Sequence, residues 1–161
     1  MGKYNFEQLK SNYKTPPELI TEGLKLVGRY YGEKHFGGLS IFDLDTCCSD
    51  YHIPATDYYK YGEKDGLKEN WKSINWCNPP YEECIKWIKK AFEEQQKGNT
   101  TVMLLPVRTE TKYWHDYILF NPNVEIHWLR KGYRFIDADS GEKMGIFKNA
   151  LSLVVFKGAE V

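Results

Sequence analysis

Apolar residues recur along this chain at two spacings. Leu19, Ile20, Leu24, Val27 and Tyr31 fall on one face of a helix whose pattern carries up to Gly37-Gly38. Thr15 before Pro16-Pro17 is a good opening for that helix, because threonine can cap free amides and proline is tolerated in the first turn. Helical spacing returns over residues 81–97, through Cys84, Ile85, Ile88 and Phe92, and Gly98-Asn99 closes it. Between these stretches, residues 39–45 read as a short strand ending in acid. Residues 74–77 read as another, stopped at Asn78 and two prolines that remove backbone donors. Residues 100–105 form an uninterrupted apolar run of the kind buried in a parallel sheet, bounded by Pro106. Strand, helix and strand in alternation predict an α/β layered fold with right-handed crossovers. Two later runs, residues 124–129 and 150–156, have no helix between them and predict an antiparallel hairpin at the sheet edge. Its loop is placed near residues 137–141, where Asp, Ser and Gly accumulate.

With 161 residues the chain fits one domain, taken as residues 14–161 behind an N-terminal arm of residues 1–13. A separate recognition domain is not expected. Net charge is zero, so an electrostatic footprint for nucleic acid has to be local. Candidate patches are Lys86, Lys89 and Lys90, then Arg108 with Lys112, then Arg130, Lys131 and Arg134, each with the alternative of a solvated face balanced by nearby glutamates. Cys47 and Cys48 are adjacent while Cys77 and Cys84 stand apart, and no Cys-x-x-Cys pair suggests zinc or redox chemistry. Free buried thiols, no metal, and structural roles for His115 and His127 are the expectation. Without an apolar signal core or a stretch of roughly 20 apolar residues, no membrane partner is expected and the default compartment is a reducing cytoplasm. The unusual feature is 16% aromatic residues, which serve a core and also supply stacking surfaces for bases.

Ligands of open α/β sheets bind beyond the carboxyl ends of the strands. The strand carrying Asp45 and the strand before Asn78 both deliver polar groups there. In Asn78-Pro79-Pro80-Tyr81 the Asn side-chain oxygen and the Pro79 carbonyl are acceptors, and neither proline adds a backbone donor. Two acceptors held by rigid prolines would grip a planar NH₂ group and aim its lone pair at an electrophile, a catalysis of position and electrostatics without a general base. Tyr81 would offer its flat face to the substrate ring. A strand-ending Pro-Pro turn is the alternative for this segment.

The order Thr15-Pro16-Pro17, Phe42-Asp43-Leu44-Asp45-Thr46-Cys47-Cys48, Asp65-Gly66-Leu67 with Trp71, Asn78-Pro79-Pro80-Tyr81 and Leu104-Leu105-Pro106 resembles the phage-type DNA adenine-N6 methyltransferases, over about residues 14–156. That resemblance implies a Rossmann-like methyltransferase fold with a mostly parallel sheet, S-adenosylmethionine as cofactor, double-stranded DNA as partner, and a target adenine rotated out of the duplex. It also implies the host cytoplasm as location for a phage-encoded enzyme. Rotation is expected on physical grounds too, since the adenine amine is otherwise held in a base pair. By the same resemblance Asn78, Pro79, Pro80 and Tyr81 are catalytic. Thr15 and Pro16 would hold the methionine end of the donor, Asp45 and Cys47 would lie beside it at the end of the first strand, and Asp65 would sit on its adenine side. Arg108, Thr109, Lys112, Arg130, Lys131 and Arg134 are the candidate DNA contacts.

Two departures stand out. The glycine-rich turn common after the first strand of nucleotide-binding sheets is missing, because Asp45 is followed by Thr-Cys-Cys-Ser-Asp. A donor without phosphate does not demand that turn. Near the C-terminus, where family members resemble Gly-Arg, the chain reads Lys131-Gly132-Tyr133-Arg134. Other acceptors of the same chemistry are a cytosine N4 amine or a protein glutamine amide, and a catalytically silent nucleic-acid-binding module is the reading from another class. Residues 46–64 and 107–122 are expected to be loops that read bases.

Overall fold

The structure is a computed structural model that describes residues 13–31, 41–130 and 132–158. The arm expected over residues 1–13 ends in a short strand, β1 (Tyr13–Lys14), and its first twelve residues lie outside the described ones. Helix α1 (Pro17–Tyr31) follows, its first turn closed by the Pro16 carbonyl, which accepts from the Leu19 and Ile20 amides at 3.0 and 3.3 Å. The predicted continuation to Gly37-Gly38 lies outside the described residues.

Strand β2 (Phe42–Cys48) starts and stops later than the acid-terminated strand expected over residues 39–45, of which residues 39 and 40 are not described. The reason is a change of partner. Pairing with β4 (Ile74–Cys77) ends at Asp45 opposite Trp76, while pairing with β3 (Ala55–Lys60) shifts register after Asp45 and resumes at Cys48 opposite Lys60. Asp45 therefore sits within the strand, where it leaves one neighbour. Strand β3 itself corrects the expectation of a loop over residues 46–64. Only Tyr59 of its six residues is buried, as suits an edge strand, and Thr56-Asp57 hides it in the sequence.

After β4 the chain makes a single 3₁₀ turn (Tyr81–Glu83) and enters α2 (Cys84–Gln96). Gly98, at φ +93°, turns the chain out of the helix, with its amide on the Gln95 carbonyl and that of Asn99 on the Glu94 carbonyl, both at 3.0 Å. Strand β5 (Thr100–Pro106) is buried throughout. The loop expected over residues 107–122 instead contains a helical turn, α3 (Lys112–Trp114), that widens into a π turn at His115–Leu119. Then come β6 (Val124–Trp128), β7 (Arg134–Asp137), β8 (Lys143–Ile146) and β9 (Leu151–Phe156).

The main sheet has the order β3-β2-β4-β5-β9-β6, parallel from β3 to β5 and antiparallel where β9 meets both β5 and β6. The α/β expectation holds, and the last two runs do pair antiparallel. They are no simple hairpin, however. Strand β9 inserts between β5 and β6, and the connection carries its own β7–β8 hairpin, which joins β1 in a separate three-stranded sheet. The turn expected near residues 137–141 belongs to this small hairpin: Asp137 Oδ1 accepts from the amides of Asp139 and Ser140 at 2.9 and 2.8 Å, and Gly141 sits at φ +72°.

Successive side chains of a strand face opposite ways. Trp76 faces α1, so closely that a Cβ on Gly23 would lie 2.8 Å from its ring, while Cys77 faces Cys84 of α2. Helices thus cover both sides of the sheet. Among the described residues no helix is long and apolar enough to cross a membrane.

The fully buried Glu94 carboxylate ties the end of α2 to β5, accepting from Lys90 Nζ at 2.9 Å, Lys97 Nζ at 3.1 Å and Asn99 Nδ2 at 2.8 Å. Glu94→Ala leaves the Lys90 ammonium buried without its partner, an expected loss of about 3–5 kcal/mol. A urea titration reads this as a lowered midpoint at unchanged slope.

Candidate active site

The strands here run parallel, but the direction in which they are added to the sheet reverses between β2, which leads outward to β3, and β4, which leads to β5, so the crevice of the sheet opens between the carboxyl ends of β2 and β4. Asn78 is the first residue past β4. Its amide nitrogen donates to Thr15 Oγ1 at 3.1 Å, while its Oδ1 is sealed from solvent and has no hydrogen-bond partner among the described residues. Its backbone carbonyl accepts from the Cys47 thiol at 3.4 Å. Thr15, expected as a helix cap, thus spends its hydroxyl on the Asn-Pro-Pro-Tyr segment.

Asp45 lies across from Asn78, 2% exposed, with the Cys47 amide at 3.4 Å from Oδ1 and no cation paired with it among the described residues. Burial pushes its carboxyl well above the usual aspartate range, and the Asp50 carboxylate adds to the rise. Tyr13, Thr15, Asp45, Cys47, Asn78 and Pro80 line one narrow recess of about 20 Å³, room for a single small group. The structure therefore brings together Thr15, Asp45, Cys47, Asn78 and Pro80. Pro16 is buried outside that recess, under the first turn of α1.

Two expectations about the catalytic segment need amending. The Pro79 carbonyl already accepts a hydrogen bond from the Tyr13 hydroxyl at 3.0 Å. Tyr81 offers no open face, since it is 7% exposed and packed among Tyr13, Phe135 and Phe147 at ring separations of 6.4, 6.2 and 5.4 Å. Its hydroxyl is buried without a partner among the described residues, and burial raises its pKa well above the ordinary tyrosine value. The small β1-β7-β8 sheet supplies that covering.

A second, wider pocket of about 560 Å³ adjoins the recess, sharing Cys47 and Tyr61 with it. Asp65 is on its wall and not in the recess. The Asp65 side chain accepts the Leu67 amide at 3.0 Å and its carbonyl accepts the Lys68 amide at 2.9 Å, the pattern of a turn residue. Gly66 is required here: a Cβ would fall 2.0 Å from the Thr46 carbonyl and 3.0 Å from the Trp87 ring. Trp87 also borders this pocket, and its indole N–H is buried without a partner among the described residues. Tyr13, His52, Tyr61 and Trp87 were missed in the sequence, and only Tyr13, two residues before Thr15-Pro16-Pro17, carried a signal that could have found it.

Those proposed DNA contacts that fall among the described residues lie around the same end of the sheet, but not in either pocket. Arg108 and Thr109 follow β5 and are exposed. Arg108 pairs with Glu110, Lys112 with Asp116, and the Thr109 carbonyl meets His115 Nε2 at 2.8 Å. Arg130 beyond β6 and Arg134 on β7 are exposed, and Lys131 lies outside the described residues. All four cysteines are free and buried. Cys47 and Cys77 approach to 3.9 Å, and burial raises the Cys47 pKa well above its ordinary value, so that the thiol is kept neutral.

Comparison with known proteins agrees with this geometry. The structure aligns with that of a protein from Pyrococcus horikoshii described as a candidate RNA methyltransferase, at a TM-score of 0.57 and 13% identity, covering 99% of this chain and 91% of the other. That likeness is one of fold. A DNA N-6-adenine-methyltransferase of Haemophilus phage HP1 is 28% identical over 130 residues, 80% of this chain and 73% of the phage protein. A second, from Escherichia phage T1, is 29% identical over 112 residues, 68% of this chain and 42% of the longer phage protein. The family model for DNA N-6-adenine-methyltransferase (Dam) matches residues 7–159. With that match running through the Asn-Pro-Pro-Tyr segment, the recess above it and both sheets, the chain belongs to the DNA N-6-adenine-methyltransferase (Dam) family.

Proposed function

We propose that this protein, as one domain over residues 14–161 working in the cytoplasm, methylates the N6 amine of an adenine rotated out of double-stranded DNA. The observation that carries the reading is Asn78 Oδ1, a buried acceptor with no partner among the described residues. Such an atom costs about 1–3 kcal/mol unless a ligand donor satisfies it, and an exocyclic amine is such a donor. The Pro79 carbonyl has two lone pairs, so it can keep the Tyr13 hydroxyl and still accept the amine's second hydrogen. Holding both hydrogens turns the nitrogen lone pair toward the recess that Asp45 lines.

The residues present fit S-adenosylmethionine. Among the described residues Asp45 is a buried carboxyl without a cation and Trp87 Nε1 a buried donor without an acceptor, and the adjoining pocket of about 560 Å³ that Trp87 borders is the size of a small-molecule site. When bound, S-adenosylmethionine supplies an electrophilic sulfonium methyl. Asp45, Cys47, Thr15 and the adjacent Pro16 would hold its charged end, and Asp65 with Trp87 would border its adenosyl part. Tyr81, gripped by Phe135 and Phe147, braces the catalytic turn and meets the base only with its edge. Arg108, Thr109, Lys112, Arg130, Lys131 and Arg134 would contact phosphates, the first and third after releasing Glu110 and Asp116.

Incubation with tritiated methyl donor and duplex DNA, followed by digestion to nucleosides, is expected to put label in N6-methyladenine. Label in N4-methylcytosine or in protein glutamine, or no transfer at all, rejects the reading. Asn78→Ala is expected to lower kcat by about 10²–10³-fold with donor affinity within a few-fold, since the lost contact is to the amine. A loss confined to donor binding would reassign the residue.

Donor affinity is also expected to depend on pH. Asp45 is protonated over more of the acid range than an ordinary aspartate, whereas a sulfonium cation favours the carboxylate. Affinity should therefore weaken as pH falls through the raised Asp45 pKa, and Asp45→Asn should bind weakly with a flat profile. Calorimetric titrations across the acid to neutral range check both.

A further inference from the structure

His52 follows β2 in the loop that leads to β3, and its ring lines the same recess as Asp45 and Asn78. Two contacts fix its tautomer. Nδ1 lies 2.6 Å from Asp50 Oδ1, which only accepts while ionised, so Nδ1 carries the proton. Nε2 lies 3.1 Å from the Thr15 backbone nitrogen, which only donates, so Nε2 presents its lone pair. One residue's width away, the Thr15 hydroxyl accepts the Asn78 amide hydrogen at 3.1 Å.

We propose that Asp50, His52 and Thr15 form a positioning chain that fixes where the Asn78 side-chain amide sits at the recess, with its nitrogen on the Thr15 hydroxyl. The functional consequence rests on the amine-methylation reading; the chain itself rests on geometry alone. The Thr15 hydroxyl holds the Asn78 nitrogen only while Thr15 itself stays in place. Its amide precedes Pro16, which has no N–H to anchor the next step, so the His52 contact is a direct tie of Thr15 itself to the loop after β2. Lys14, on β1, binds the other Asp50 oxygen at 2.8 Å and holds the carboxylate on the ring.

The chain requires a neutral imidazole. A protonated ring would present N–H at both positions, meeting the Thr15 N–H donor to donor. The charged groups facing the ring are Asp50 on its own loop and Lys14 on β1, with the buried carboxyl of Asp45 across the recess. Burial lowers the pKa of His52 below the usual histidine value, against the pull of Asp50. The neutral form, and with it the chain, is complete above the ordinary histidine pKa of about 6.5 and is lost as pH falls through the lower value of the folded protein.

The test is an NMR titration of isotope-labelled protein, without substrate, that follows the His52 ring, the Thr15 amide and the Asn78 side-chain NH₂ together. All three are expected to move in one transition, and in His52→Gln, whose carboxamide oxygen can accept from Thr15, the other two should stay still through that range. In steady-state assays His52→Leu is expected to lower kcat at least about tenfold with KM for donor and DNA within about threefold, and His52→Gln to recover most of the rate. Thr15 and Asn78 signals that ignore the His52 transition, or a His52→Leu enzyme with kcat within about twofold of the parent, would overturn the proposal. Coupled signals in a protein that transfers no methyl group to DNA would uphold the chain and sink the amine-methylation reading instead.

Discussion

A side-chain amide with its nitrogen engaged and its oxygen sealed and unpaired is the constraint around which this molecule is arranged. Protein interiors satisfy nearly all buried polar atoms, and the Asn78 oxygen is one of very few exceptions among the described side chains. Strand β4 brings Asn78 to the sheet edge, Pro79 and Pro80 stop the strand there and remove competing backbone donors, and Thr15 arrives from the start of α1 to take the amide nitrogen. Two separate stretches of chain thus cooperate to leave one acceptor unsatisfied. A fold optimised for stability alone would have paired it.

The surroundings divide into a dry half and a charged half. On the dry side the β1-β7-β8 sheet lays Tyr13 and Phe135 over Tyr81, with Phe147 closing the cluster, so the Asn-Pro-Pro-Tyr turn is braced by aromatic edges. On the other side Asp45 is buried with a carboxyl pushed up by desolvation, poised to ionise when a cation arrives. Net neutrality of the whole chain is compatible with a DNA substrate because local charge is organised in pairs, Arg108 with Glu110 and Lys112 with Asp116, which a phosphate can enter by exchange.

The missing glycine-rich turn has a structural counterpart. Where such a turn would let a ligand approach the backbone after the first strand, β2 continues to Cys48 on the β3 side, and the close approach is made by Gly66, from a later loop, against Thr46 and Trp87. Close packing at that point needs a residue without a side chain, and the chain supplies it from elsewhere.

Local pattern alone determined the α/β class, the buried strands at residues 74–77 and 100–105, both long helices and the place of the Asn-Pro-Pro-Tyr turn at the end of a strand, because hydrophobic period, proline and glycine act over a few residues. The edge strand β3 stayed hidden, since a strand with a single buried residue has no alternation to read. So did the insertion of β9 between β5 and β6, which depends on which edge is free when the last strand arrives. At the site, Asn78, Thr15 and Asp45 were legible from motif and position. That Tyr13 would occupy the Pro79 carbonyl, that Tyr81 would be walled in, and that His52 would hold Thr15 were decided only by tertiary structure, because each depends on partners 37 or more residues away whose meeting no local spacing encodes.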